Sequence, residues 1–177
     1  SCYLPCSVGG REVTGSSVAG LPIPEGAVRY GELFAGAGGL SLGLDRAGFE
    51  CAFHAEIEPF PRRVLKAHWP DVPLYGDVTT LDGRKLIEEC GPIDLLSGGS
   101  PCQDLSVAGK RAGMTEGSGT RSSLFYEQVR LYNETNAEFL LWENVDGARS
   151  SNNGKDFALV LSALVGGTVA VPGNGWR

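Results

Sequence analysis

The sequence holds a single methionine, Met114, and only two histidines, His54 and His68. Its five cysteines (Cys2, Cys6, Cys51, Cys90, Cys102) are odd in number, scattered, and never spaced CxxC. That excludes a disulfide framework and gives no zinc-ligand spacing, so no metal is expected. Positive charge is also scarce: 15 Lys and Arg stand against 21 Asp and Glu, for a formal charge of -6. A self-sufficient nucleic-acid binder draws affinity from cations on phosphates, so any such role needs basic surface from elsewhere. Long apolar runs are missing too. The most apolar stretch, Phe157 to Pro172, is broken by Ser162, Gly166, Gly167 and Thr168, and falls short of the ~20 residues that span a bilayer. The opening SCYLPCSVGG has neither the basic region nor the apolar run of a secretory signal. A cytoplasmic, reducing location is expected, and a chain that does not open on Met is expected to be a fragment.

What is present describes a globular domain. The 177 residues are 42% hydrophobic and 20% charged, with 26 Gly and 10 Pro, which suits one domain with a real core. Residues 1–28 are small, Gly-, Ser- and Pro-rich and without apolar period, so they are expected to be a flexible tail before a domain at 29–177. From Arg29 onward short apolar runs alternate with helical patterns, which predicts βαβ units and an α/β fold with a mostly parallel sheet. The predicted strands are Tyr30 to Phe34, Cys51 to Ala55, Pro73 to Tyr75, Ile93 to Leu96 and Phe139 to Trp142, with Thr168 to Val171 beginning another. Helices are predicted through Leu40, Leu44 and Ala47; from Pro59, with Phe60, Val64 and Leu65 on the buried side; over Arg84 to Cys90; through Leu124, Phe125, Val129 and Tyr132; and over Phe157 to Leu164. The stretch from Gly98 to about Arg121 reads as a loop, longer than compact domains usually carry without function. Asp146 to Gly154 reads as polar loop.

Three strand ends carry chemistry. After the first strand, FAGAGG is a Gly-rich turn into a helix, where a ligand can approach the backbone and meet helix amides. The GxGxxG fingerprint is incomplete, because Ser41 stands where the third glycine belongs. Glu56 ends the next strand in position to accept from ribose hydroxyls, and Asp77 ends the third, within reach of an adenine amino group. The alternative is a tight turn with two helix-capping acids. After the fourth strand comes GGSPCQDLSVAGKR. A lone cysteine is most often inert packing, but Cys102 follows Pro101 at the carboxyl edge of the sheet, near Lys110 and Arg111, which favour a thiolate. No histidine base accompanies it, which argues against acyl transfer. Glu143 ends the fifth strand on the same edge, and between Trp142 and Val145 it is expected to be desolvated, which would raise its pKa and let it donate a proton. The alternative is a solvated strand-end acid.

FAGAGG, Glu56, Gly76-Asp77, Pro101-Cys102-Gln103 and Glu143-Asn144-Val145 occur in the order and spacing of the DNA (cytosine-5) methyltransferases, which this chain resembles from about Tyr30 to Val171. The resemblance implies a Rossmann-like S-adenosyl-methionine-dependent methyltransferase fold, helices on both faces of the sheet, C-terminally truncated. It implies S-adenosyl-methionine in the Gly-rich site: Phe34, Ala35, Gly36, Ala37, Gly38, Gly39 and Leu40 around the methionine end, Glu56 at the ribose, Asp77, Ile57 and Val78 at the adenine, and Leu124 close by. Cys102 would add to cytosine C6 and Glu143 would stabilise the ring at N3. Gln103, Ser106, Lys110 and Arg111 would contact double-stranded DNA whose target cytosine is flipped out. Glu32 stands where the family often has Asp, and Ile57 where it often has an aromatic. After Arg177 the family's arginine-rich segment, target-recognition domain and closing helix are absent, so the piece alone is expected to turn over weakly and to need a C-terminal part or second chain. Other readings are a non-catalytic cofactor-binding or interaction module, a tRNA cytosine-5 methyltransferase and, most distantly, a nicotinamide-dependent oxidoreductase. The role, whether restriction-modification, phage or regulatory, stays open.

Overall fold

The computed structural model describes residues 26–101 and 123–176. Cys102, Gln103, Ser106, Lys110 and Arg111 lie outside the described residues, as does the expected tail up to residue 25. Among the described residues five strands form one sheet: β1 (Arg29–Leu33), β2 (Glu50–Ala55), β3 (Leu74–Tyr75), β4 (Leu95–Gly98) and β5 (Phe139–Trp142). The helices are α1 (Gly39–Arg46), α2 (Pro59–His68), α3 (Gly83–Cys90), α4 (Ser123–Thr135) and α5 (Lys155–Val165). The strand order is β3-β2-β1-β4-β5 and every pairing is parallel. The chain winds outward from β1 to β3, then crosses back to lay β4 and β5 on the other side. Connections therefore diverge between β1 and β4, and it is outside the carboxyl ends of strands at such a switch point that open α/β sheets bind ligands.

Strand alternation divides the core. Tyr30 and Glu32 of β1 point toward α1, while Leu33 points the other way and joins Phe53, Leu86, Leu96 and Leu131, which bind α3 and α4 to the sheet. Gly31 is required here, because a Cβ on it would lie 2.3 Å from the ring of the fully buried Phe53. Register shifts where Ala52 bulges out of the β1–β2 ladder: Tyr30 pairs with Cys51 but Gly31 with Phe53. The bulge brings Cys51 and His54 to the same face, which a regular strand would not do at that spacing. α3 begins where Asp82 accepts hydrogen bonds from the amides of Arg84 and Lys85 at 2.9 and 3.2 Å, an N-cap. Leu131 is fully buried between α4 and the sheet. Leu131→Ala is expected to lower stability by about 2–5 kcal/mol, read as a shift in the urea midpoint.

Three expectations are not met. Phe60 is 66% exposed whereas Leu65 is 1% exposed. Five helical residues turn through about 140° beyond a full circle, so both cannot share one narrow face; Phe60 instead lies under the Arg63 guanidinium, 5.6 Å from its ring centre. Thr168 to Val171 forms no strand. The Val169 amide donates to Ser162 Oγ at 2.9 Å and that of Gly167 to the Ser162 carbonyl at 3.2 Å, so the chain folds back onto the end of α5. Asp146–Arg149 and Ser151–Gly154, expected as plain loop, wind into 3-10 turns.

Candidate active site

The turn after β1 is built on left-handed backbone: Phe34, Gly36 and Gly38 have φ of 54, 53 and 83°. Phe34 is the costly one, since a side chain disfavours this region and such outliers gather at functional turns. The Gly36 amide donates to Glu56 Oε2 at 2.7 Å, and the Glu58 amide donates to Glu56 Oε1 at 2.7 Å. Glu56 is 8% exposed, so this carboxyl at the end of β2 is oriented by two backbone donors. A Cβ on Gly36 or Gly39 would meet nothing within 4 Å; the outer side of the turn faces open space. Gly38 caps α1 without a side-chain hydrogen bond.

Beside Glu56, Ile57 is 61% exposed, an apolar surface next to an acceptor. Asp77 is half-buried and its Oδ1 accepts from the Thr79 amide at 2.9 Å. It therefore caps the 3-10 turn Val78–Thr80, the bland alternative, while also standing at the end of β3. Val78 is buried in the main core, and Leu124 packs on the edge of that core. Two arginines that sequence reading missed hold this edge. Arg62 donates to the carbonyls of Glu56, at 2.6 Å, and Tyr75. Arg130 donates to those of Leu81 and Val78 at 3.0 and 3.2 Å, with Glu127 and Glu134 on either side. Glu127 and Glu134 at i−3 and i+4 were a legible helical signal; the carbonyl targets, some fifty residues away in sequence, were not.

On the other side of β1, β4 and β5 end side by side, with Gly98 paired to Trp142. The Gly98 carbonyl accepts from the Glu143 amide at 3.0 Å and from Gln128 Nε2 at 3.3 Å, and Trp142 Nε1 donates to Ser100 Oγ at 3.0 Å. A Cβ on Gly99 would lie 2.8 Å from Glu143 Oε2. The carboxyl of Glu143 thus lies against the segment that leads through the exposed Pro101 to residue 102. Glu143 is exposed, and Val145 is 61% exposed. The expected desolvation is not met: β5 stops at Trp142, and the residues after it run past the sheet edge.

Beneath the Gly-rich turn is a cluster that sequence reading missed, since His54 reads as a solitary histidine. Ser41 Oγ lies in hydrogen-bond contact with Glu32 Oε2 and 2.8 Å from His54 Nε2.

Glu56 meets what S-adenosyl-methionine asks of a site: two oxygens whose remaining lone pairs can accept from a ribose diol, with an exposed apolar side chain adjacent and glycines facing open space. Residues 28–166 match the family model described as C-5 cytosine-specific DNA methylase. The Type II methyltransferase M1.HphI of Haemophilus parahaemolyticus is 42% identical over 129 residues, covering 71% of this chain and 34% of that protein. A protein of Escherichia phage P1 named DNA N-6-adenine-methyltransferase is 35% identical over 143 residues, covering 77% of this chain and 19% of its own length. The crystal structure of S. pombe Dnmt2 methyltransferase superposes with a TM-score of 0.56 at 21% identity, covering 77% of this chain and 40% of that one, which supports the fold. The chain spans about a third of the length of the curated relatives first matched. With the turn, the two strand-end acids and the parallel sheet in the arrangement just described, and most of its length matched, the chain belongs to the C-5 cytosine-specific DNA methylase family.

Proposed function

We propose that this chain is the cofactor-binding and nucleophile-bearing part of a DNA (cytosine-5) methyltransferase. The observation that carries the reading is topological: the Gly-rich turn with Glu56 and the Pro101–Glu143 edge follow the carboxyl ends of neighbouring strands, at the point between β1 and β4 where the winding of the sheet reverses. Residues 34–40, Glu56, Ile57 and Asp77 would hold S-adenosyl-methionine, with Val78 supporting the turn from the core and Leu124 at its margin. When bound, this cofactor supplies an electrophilic methyl group.

Cytosine C5 is a weak nucleophile inside its aromatic ring. The Cys102 thiolate adds to C6, which makes C5 enamine-like, and Glu143 shares a proton with N3 as electron density moves onto the ring. C5 would then accept the methyl group as its bond to the cofactor's sulfonium sulfur breaks, the electron pair staying on sulfur and a neutral thioether leaving. Loss of the C5 proton to a base then expels the thiolate and leaves 5-methylcytosine. The target base must leave the stack, at a cost of a few kcal/mol. Gln103, Ser106, Lys110 and Arg111 would contact the double-stranded DNA around it. With a net charge of -6, sequence reading and most phosphate contacts fall to a C-terminal part or second chain. A role in restriction-modification inside the cell accords with the Type II names of relatives, and no helix among the described residues is long and apolar enough to cross a membrane. The phage relative's name suggests adenine, but thiolate addition at C6 is pyrimidine chemistry, and Pro101-Cys102-Gln103 favours cytosine.

Calorimetry with S-adenosyl-methionine and with NAD tests the cofactor half. Selective binding of the former is expected, weakened about tenfold or more by Glu56→Ala, which removes one charged acceptor and frees the Gly36 amide. Equal binding of the two, or no effect of Glu56→Ala, would refute it.

A further inference from the structure

α1 is held to the sheet by polar contacts. β1 and β2 pair Glu32 with His54, and Ser41, in the first turn of α1, reaches between them; Glu32, Ser41 and His54 are 3, 0 and 1% exposed. Ser41 stands where a dinucleotide fingerprint has the glycine that lets helix and strand approach, so its hydroxyl makes a hydrogen-bonded joint where that fold makes a bare contact. The joint adjoins the Gly-rich turn on both sides: Glu32 is two residues before Phe34 and Ser41 three after Gly38. Trp69 extends it, with its ring edge-on to His54 at 5.3 Å and 2.4 Å from where a Gly38 Cβ would be.

We propose that Glu32, Ser41 and His54 form a proton-bridged clamp, Glu32 donating to Ser41 and Ser41 to His54, that holds the first turn of α1 on the sheet and positions the Gly-rich turn. Ser41 has one proton and cannot donate both ways. If Glu32 were ionised, Ser41 would donate to it and His54 would have to donate to Ser41, leaving a carboxylate buried beside a histidine. With Glu32 neutral, every contact is satisfied and no charge is buried. Burial raises the Glu32 carboxyl to about 7 and lowers the His54 imidazole to about 4, which agrees with this direction. The other groups facing the pair are Tyr30 on β1, Cys51 on β2 and Asp45 on α1. Asp45 accepts from Tyr30 Oη at 2.8 Å and from Trp69 Nε1 at 2.7 Å. Burial lifts the Cys51 thiol to about 12, so it stays protonated throughout.

The clamp has a pH signature. In the unfolded chain Glu32 is ionised above about 4.5 and His54 charged below about 6.5; folded, Glu32 keeps its proton and His54 lacks one. Between those limits folding moves the proton from one to the other and takes up none, so the pair leaves stability flat with pH. Removing one member exposes the other. In His54→Gln the raised Glu32 pKa remains, and its stabilisation is full below about 4.5 and lost as pH rises toward about 7. In Glu32→Gln the lowered His54 pKa remains, and stability is lost as pH falls from about 6.5 toward about 4. The folding constant of each variant should change about tenfold per pH unit, in opposite directions.

Urea unfolding of the whole chain and both variants across this range is the test, with NMR of His54 in the unsubstituted chain as a measurement that needs no variant. A neutral His54 protonated on Nδ1 at about pH 5.5 supports the clamp; a charged His54, one protonated on Nε2, or variant slopes parallel to the parent would overturn it. The consequence for the cofactor rests on the function proposed above. S-adenosyl-methionine affinity should survive Glu32→Gln, which can still donate to Ser41, and fall about tenfold in Glu32→Leu, the factor that goes with one lost buried hydrogen bond. Opposed slopes with no binding by any form would keep the clamp and sink the cofactor reading. Binding with parallel slopes would do the reverse.

Discussion

Cys102→Ser is expected to lower methyl transfer to cytosine-containing duplex DNA by about 10⁴-fold or more while leaving S-adenosyl-methionine binding unchanged. The reason is the nucleophile. Addition at C6 needs an anion, and a thiol reaches that state near neutrality far more readily than a hydroxyl, the more so with Lys110 and Arg111 close in sequence. Because C5 is activated only by that addition, the step cannot be bypassed. Duplex DNA carrying 5-fluorocytosine makes the result sharper. Fluorine takes the place of the proton that must leave, so the adduct cannot collapse and the parent should be captured covalently in the presence of cofactor. Cys102→Ser should not be. Capture of the serine variant at the parental level would remove Cys102 from the mechanism. Failure of capture by a parent that binds both the DNA and the cofactor would favour the non-catalytic binding module, and transfer to tRNA in place of DNA would redirect the substrate.

The second large effect is expected at Gly38. Its φ of 83° lies where a side chain is strained, and an added Cβ would sit 2.4 Å from Trp69 Cζ3 and 3.1 Å from Leu65 Cδ2. Trp69 cannot retreat freely, since its indole donates to Asp45 at 2.7 Å and its ring lies against His54. Strain of about 1–3 kcal/mol and overpacking of similar size add. Gly38→Ala should therefore lower Tm by about 10 °C, at a few degrees per kcal/mol for a domain of this length. Gly39→Ala, where nothing lies within 4 Å and φ is not positive, is the control and should move Tm little. Equal effects of the two would mean that the turn is not held as described.

Local pattern carried much of the fold. Apolar runs with β-branched and aromatic residues marked β1, β2, β4 and β5 to within a few residues, and the Gly-rich turn announced the start of α1 because backbone with positive φ needs glycine whatever surrounds it. Where reading failed, partners distant in sequence decided. Thr168 to Val171 has strand composition, yet its neighbouring amides are taken by the end of α5. Phe60 looked like core, but the buried face of α2 is the one carrying Leu65, which lies beside Gly38. Glu143 looked desolvated between Trp142 and Val145; only the point at which β5 ends leaves it exposed.

By itself the sequence determined the alternation of strand and helix, the family, and the residue types available at each strand end, because these depend on the period and order of neighbouring side chains. The tertiary structure alone decided that β1 lies between β2 and β4, that Glu56 is held by the Gly36 amide, and that an apparently solitary histidine shares a buried serine with Glu32. Those facts follow from strand register, and register is a property of two segments at once: a bulge at Ala52 turns Cys51 and His54 to one face, and nothing within either strand read singly reveals it.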